Sequence, residues 1–433
     1  MPVNQSYASA GVTTIEIELR RGDVGIDVGT GDEIILRADF SSGANEADLR
    51  VERVGDALRI IQTPADVPRE GFGFLNDLGL GALVGQIGRI DLRLSVPPGA
   101  RRLLTTTGLG AVRVAEWTGN LQIRTGKGDV TLGTVDGQSD VKTGMGAVQV
   151  ERVSGQCTIN DGLGDVIVAG GSGAVHAIAG KGAIRVRDAS LTLEAKSGMG
   201  DVVLERVSGE AKIHSGFGQI AVDEARELVL ESQSGNGSIR LSGDFRSIKA
   251  KSGMGPIGCQ PTRLTGPVDL NTGNGDLDLL LATDQALRID ASTGRGRVNS
   301  EVPLVQVGQS GPPGYFSQRL VGTVGSGEIA ATVRLRSGNG DIRLRRSAAS
   351  SAQTGPSAGQ SARAGSATAS ASTSAEASAG TTFSSTITVE THTEQTPSSD
   401  AAPKPGRSRL EVLQALSRGE ITVEEAEREL TQA

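Results

Sequence analysis

Between Thr107 and Arg297 one phrase recurs along the chain: a small polar residue, Gly-x-Gly, then aliphatic residues alternating with polar ones. Thr125-Gly126-Lys127-Gly128-Asp129-Val130-Thr131-Leu132 is one copy, and Ser197-Gly198-Met199-Gly200-Asp201-Val202-Val203-Leu204 is another. The first glycines of successive copies stand at 108, 126, 144, 162, 180, 198 and 216, each 18 residues after the last, and then at 235, 253, 273 and 294. So regular a spacing predicts near-identical structural units, each burying its apolar face against its neighbours.

The alternation inside a unit gives its local structure. Val130, Leu132, Val135 and Val141 in one copy, and Val148, Val150, Val153, Cys157 and Ile159 in the next, alternate with polar or small neighbours. A period of two marks strands with one buried face, and glycine suits the corners between short strands, where φ > 0 is often needed. Eighteen residues suffice for one coil, whose strands pair in parallel with those of the coils above and below. The predicted fold is therefore all-β, a parallel β-solenoid with about 18 residues per coil. Helical repeats are excluded because glycine falls where a helix would break.

Composition supports a core of this kind. Sixty-one glycines stand against one Trp, two Tyr and seven Phe, so Val, Ile, Leu and Ala must fill the interior. The net charge of −7 is dispersed, with no basic footprint for nucleic acid. No apolar run is long enough to span a bilayer. Residues 1 to 14 show no charged segment followed by an apolar one, so a cytoplasmic protein is expected, with envelope association or nonclassical export as the alternative.

Five segments follow along the chain: a flexible N-terminus over 1–12, a β-rich cap over 13–104, the solenoid over 105–345, a disordered Ser/Ala/Thr-rich linker over 346–407 and a helical hairpin over 408–433. Thr14 to Leu19 and Ile90 to Val96 alternate as strands, and Val96-Pro97-Pro98-Gly99 turns into the repeats. Gly71 to Gly88 reads as a loop inside the cap, and Gly311-Pro312-Pro313-Gly314 as a second loop. A last copy of the phrase, Ser337-Gly338-Asn339-Gly340-Asp341-Ile342-Arg343-Leu344, is expected to rejoin the stack and close it. In the tail Leu410, Leu413 and Leu416 form a helical stripe ending at Gly419, and Thr422-Val423-Glu424-Glu425 starts a second helix carrying Leu430. So small a hairpin buries little by itself and needs a partner.

The repeated [Ser/Thr]-Gly-x-Gly-[Asp/x]-[Val/Ile]-x-[Leu/Val] units, the strands before them and the Val-Pro-Pro-Gly lead-in resemble the bacterial β-solenoid family labelled putative adhesins, over about residues 13 to 345. The tail from Leu410 to Thr422 is similar to the short bihelical SHOCT-like module. The resemblance implies a non-enzymatic role in sensing or responding to cell-envelope stress.

The residues themselves offer little chemistry. Asp129, Asp165, Asp201, Asp276 and Asp341 follow Gly-x-Gly one place too early for a calcium β-roll, and the same column holds Ala111, Ala147, Ala183, Gln219, Ser238 and Pro256. Corner hydrogen bonding is their expected role. Cys157 and Cys259 occupy aliphatic positions and read as buried free thiols, too far apart for a disulfide. His176 and His214 lie two coils apart with too few ligands for a metal. No cofactor, metal or catalytic residue is assigned.

One column departs from blandness: the residue between the two glycines. It is Leu109, Lys127, Met145, Leu163, Lys181, Met199, Phe217, Asn236, Met254, Asn274 and Arg295, and it contains every methionine after Met1. Leu109, Met145, Leu163, Met199, Phe217 and Met254 are the candidate contact ridge, if they do not fold over their own corners; Leu410, Leu413, Leu416 and Leu430 are the candidate tail contacts. The expected function is a scaffold or adhesin-like protein acting on a protein partner or on another copy of itself. A self-polymerising, bactofilin-like protein is one alternative, and a carbohydrate-binding or carbohydrate-cleaving β-helix is another.

Overall fold

The structure is a computed structural model that describes residues 3–41, 43–63, 88–281, 285–307 and 317–346. Among these residues nearly everything is strand, broken by one 3-10 turn at Glu46–Asp48. The solenoid predicted from the repeat is present, with a register of 18 residues per coil. Val130 pairs with Val112 on one side and Val148 on the other, and the same offset runs through Val141, between Ile123 and Ile159. Every parallel neighbour is thus the equivalent residue of the next coil, so the buried faces form continuous columns. One column runs from Val112 through Val130, Val148, Val166 and Ile184 to Ile257, all with no exposed surface. Strand Val130–Met145 shows how one coil is made, with Val130, Leu132, Val135, Ser139, Val141 and Thr143 turned inward past successive bends.

The glycines of the phrase are required for a further reason besides the one expected. A Cβ on Gly126 would lie 2.7 Å from the carbonyl oxygen of Gly108, and one on Gly182 would lie 1.6 Å from that of Gly164. Both glycine columns are packed backbone on backbone along the solenoid axis, leaving no room for a side chain. The expected positive φ occurs at some second glycines of the phrase, Gly110, Gly128, Gly146 and Gly296, at 142–158°, and at another bend, where Gly119, Gly137, Gly155 and Gly173 have φ between 115° and 119°. The 19-residue step from Gly216 to Gly235 is absorbed as a bulge, with register shifts between Val222 and Val229 against the following coil.

Both ends of the stack depart from sequence order. Strand Thr14–Arg21 lies between Ala57–Gln62 and Arg102–Leu109, parallel to both. Val24–Val28 likewise lies between Arg89–Val96 and the start of Val112–Lys127. Residues 14–28 are therefore a coil of the solenoid, although the sequence placed them in a cap. The outer coil is finished by antiparallel strands: Leu49–Val54 on Ala57–Gln62, Glu33–Ser41 on Arg89–Val96, and Val3–Ala8 on Glu33–Ser41. Residues 3–8, expected to be flexible, are thus tied down as an edge strand.

The other end repeats the device. Ala331–Ser337 and Ile342–Arg346 enter between the coil of Val268–Thr272 and Leu277–Leu281 and the coil of Leu287–Thr293 and Val298–Ser300. The last copy of the phrase does rejoin the stack, but one level inside its end. Gln318–Val324, antiparallel to Leu287–Thr293, covers the outside. The 21-residue step from Gly273 to Gly294 is consequently no coil step, because Gly338 stacks between the two. The loop predicted at 311–314, the loop over Gly71 to residue 87, the linker beyond Arg346 and the tail at 408–433 lie outside the described residues.

Candidate contact surface

The Gly-x-Gly corner is built from three polar devices and leaves one position free. Beneath it lies a column of buried hydroxyls. Ser197 Oγ donates to the Gly182 carbonyl at 3.2 Å and accepts the Gly200 amide at 2.9 Å, tying its own corner to the preceding one. Ser215, Ser234 and Ser252 do the same, which accounts for the small polar residue that opens each phrase.

Asp161 is the exception in that column. It is 5% exposed, beneath its own Gly162-Leu163-Gly164 corner, whose amides face it without hydrogen bonds of normal geometry. Burial pushes its carboxyl above the usual carboxylate range, against the pull of those amides.

The aspartates after the phrase are spent on the backbone, as expected for corner residues. Asp129 Oδ1 accepts the Ala147 amide, and Asp165 Oδ1 the Ala183 amide, both at 2.8 Å; Asp201 takes that of Gln219 at 2.7 Å. Each carboxylate caps the residue one coil further on, so alternate coils suffice and Ala147 and Ala183 need no carboxylate of their own. The Ala183 amide and, after it, Arg185 hold the Asp165 carboxyl below its ordinary range. Asp276 and Asp341 continue the ladder through the inserted coil, to Asp341 and Arg297 respectively.

The residue between the glycines is held by its own amide: Met199 N donates to Gly180 O at 3.2 Å, Phe217 N to Gly198 O at 3.2 Å and Met254 N to Gly235 O at 3.1 Å. With glycine on either side packed against the neighbouring coil, its side chain can only project outward. Met145, Leu163, Met199, Phe217 and Met254 are 48–65% exposed, the tips standing clear of their corners, whereas Leu109 is half-buried. Lys127, Lys181 and Asn236 interrupt the apolar run. Beyond Met254 the stacked order is Asn274, Asn339 and Arg295, and Asn339 Nδ2 donates to Asn274 Oδ1 at 2.8 Å. That asparagine pair could not be foreseen, because the two residues lie 65 positions apart.

Two outward columns flank the corner on the strand that precedes it. The nearer runs Thr106, Arg124, Lys142, Asn160, Ile178, Lys196, His214, Gln233, Lys251, Asn271 and Arg336. The farther alternates in sign: His176, Glu194, Lys212, Glu231, Lys249, Asp269, Arg334, Asp290. In-register stacking would set like charges against one another if they did not alternate. His176 is accordingly paired with Glu194 at 3.1 Å and Lys249 with Glu231 at 2.6 Å, while His214 stands in the other column.

Cys157 and Cys259 are both fully buried free thiols, pushed up to about 11 and about 12 by desolvation. Sequence reasoning passed over Trp117, which is 5% exposed with its indole N–H unpartnered. It borders a cavity of about 430 Å³ under the Val96 to Arg101 crossover. Its column continues as Val135 and Val153, so the alternation marked it only as one more inward position.

These features define a parallel β-solenoid with glycine-packed corners and an outward apolar column. Residues 189–345 match the Toastrack DUF4097 family. Among solved structures, the chain is similar to a putative cell adhesion protein from Clostridium sporogenes ATCC 15579, at 9% identity and a TM-score of 0.16, over 80% of this chain and 100% of that one. It is also similar to a putative adhesin from Bacteroides fragilis NCTC 9343, at 11% identity and a TM-score of 0.25, over 64% of this chain and 97% of that one. No curated protein matches the chain.

Proposed function

We propose that this chain is a non-enzymatic, adhesin-like scaffold that works through contacts, serving at the cytoplasmic side of the cell envelope in the response to envelope stress. The solenoid is the rigid part. Its exposed column, Met145 to Met254, is the surface by which the solenoid is held, and the tail, through Leu410, Leu413, Leu416 and Leu430, recruits a protein partner. The observation that carries this reading is the economy of the corner. Its hydroxyls and aspartates are consumed by the backbone, while the position between the glycines projects large apolar side chains that the fold does not use. The matched Toastrack DUF4097 region, 189–345, includes Met199, Phe217 and Met254 of that column. Antiparallel strands lie across both ends of the stack, which favours contact through its side over bactofilin-like end-to-end addition.

The test is capture of tagged full-length chain and of chain lacking 408–433 from its own cells, followed by reconstitution with the purified partner. A partner that binds the full chain and is lost with the tail supports the reading. Identical binding by both chains, or monomers of both with no partner, removes the tail from the mechanism.

A further inference from the structure

The exposed column and the outward column beside it share a property. From Thr106 and Leu109 up to Arg336 and Arg295, neither contains an aspartate or a glutamate, Glu18 standing one coil before Thr106. Arg124, Lys127, Lys142, Lys181, Lys196 and Lys251 are set among the exposed Met145, Leu163, Met199, Phe217 and Met254, in a chain whose net charge is −7. Glycines and buried small residues separate the two columns, hydroxyls except at Ala179 and the buried Asp161, so nothing stands above the apolar tips and the cations between them. Lys142 and Lys196 lean toward Asp140 and Glu194 of the next column, at 3.6 and 2.6 Å, and Lys127, Lys181 and Lys251 extend free of ion pairs among the described residues.

The shape selects among partners. Parallel coils at a spacing of about 4.8 Å set Leu109 and Met254 roughly 38 Å apart along the stack. The hollow beside its first coils, lined by Thr106, Arg124, Lys142 and their corner glycines, is an open depression and does not enclose a small ligand. Two copies meeting corner to corner would touch along a single line, bringing the cations of one against those of the other with no acid between Thr106 and Arg336 in either column to receive them. A flat anionic surface meets the whole edge at once: the apolar tips enter the interface while the lysines and arginines, with long apolar stems, reach the charged headgroups.

From this we propose that the edge formed by Met145, Leu163, Met199, Phe217 and Met254, with its interleaved basic residues, docks the solenoid on an anionic lipid bilayer. The proposal rests on the reading of the column as a contact surface and names what it contacts.

The test uses the full chain and two kinds of vesicle, phosphatidylcholine alone and phosphatidylcholine with about a third phosphatidylglycerol. The protein should co-sediment with the anionic vesicles at low salt, at least tenfold more than with the neutral ones. Joint replacement Met145→Ser, Leu163→Ser, Met199→Ser, Phe217→Ser and Met254→Ser should reduce the bound fraction at least tenfold, as should Lys127→Glu with Lys181→Glu. Circular dichroism checks that each variant retains its strands. Phe217→Trp gives a second readout: its emission should shift to the blue with anionic vesicles only, against the constant signal of buried Trp117. Wild type that stays in the supernatant with both vesicles overturns the proposal, as does binding that survives both sets of substitutions. If the column instead drives dimerisation without lipid, in a concentration-dependent sedimentation abolished by the five serines, the surface belongs to a second copy. The contact reading would then stand while the lipid proposal fell.

Discussion

Gly182 and Gly258 should respond in opposite directions to the same substitution, Gly→Ala. A Cβ on Gly182 would fall 1.6 Å from the Gly164 carbonyl oxygen, where real contacts stay above 3.0 Å, so the two corners must part by roughly 1.4 Å. The bonds that cross this gap are Lys181 N to Gly162 O at 3.2 Å and Ala183 N to the Asp165 carboxylate at 2.8 Å. Stretching both, each with a net value of about 1 kcal/mol and more where a buried group is left unpaired, gives a loss of about 2–5 kcal/mol. Gly258, by contrast, lies within a strand; its φ is not left-handed and a Cβ there meets nothing within 4 Å. Alanine should therefore stabilise by about 0.4–1 kcal/mol, chiefly by restricting the unfolded chain. Urea unfolding followed by far-ultraviolet circular dichroism gives the two midpoints. Hydrogen exchange adds a local check, since Gly182→Ala should release the amides of Lys181 and Ala183 first. If Gly182→Ala lay within 1 kcal/mol of wild type, or Gly258→Ala were equally damaging, the account of the corner as backbone packed on backbone would be refuted.

Two further substitutions probe buried groups. Asp161→Ser restores the hydroxyl column and should stabilise the fold by about 1–3 kcal/mol at neutral pH, by removing a buried carboxylate that lacks proper partners. The folded-state pKa of Asp161 lies above its unfolded value near 4, so the native state holds the proton more tightly. Wild-type stability should then fall as pH rises through that window, and the gap to the serine variant should widen and level off. A gap that narrowed with rising pH would contradict this assignment. Cys157 and Cys259, with thiols raised to about 11 and about 12, should resist a thiol reagent at neutral pH in the native protein and react fully in denaturant. Rapid native labelling of either would mean that its coil opens.

How much of this was legible in the sequence depended on whether each contact joins neighbours one period apart. The 18-residue period gave the coil, its inward columns and the outward residue between the glycines, because all of these are repeated locally. The role of the glycines was read only in part: positive φ holds at Gly128 and Gly146, but the requirement shared by both columns comes from the backbone of another coil, and a sequence shows glycine identically whether φ or a neighbour demands it. Both ends were missed for a related reason. Thr14 to Leu19 alternates as a strand whether it belongs to a cap or to a coil, and nothing in the spacing of Gly273, Gly294 and Gly338 shows that the last enters between the first two. The absence of acids between Thr106 and Arg336 in the columns at Lys142 and Met145 was present in the sequence, but it emerges only when equivalent residues are stacked in register.

The interleaved ends bear on how such an edge could work. A solenoid ending in sequence order leaves its terminal coil attached at one end, free to fray and to offer an unpaired edge to another chain. Here the outermost coil at the N-terminal side, Ala57–Gln62 with Arg89–Val96, is continuous in both directions with chain that returns into the stack, at Val24–Val28 and at Arg102–Leu109. The coil Leu287–Thr293 with Val298–Ser300 is held the same way, between Leu277–Leu281 and Ala331–Ser337. Fraying such a coil opens a closed loop instead of freeing an end, so the entropy gained is limited by loop closure. The antiparallel strands beyond it break the register that an incoming parallel coil would need. A stack closed in this way stays finite and keeps its terminal coils in place, which is required of an edge whose apolar tips must meet a surface together.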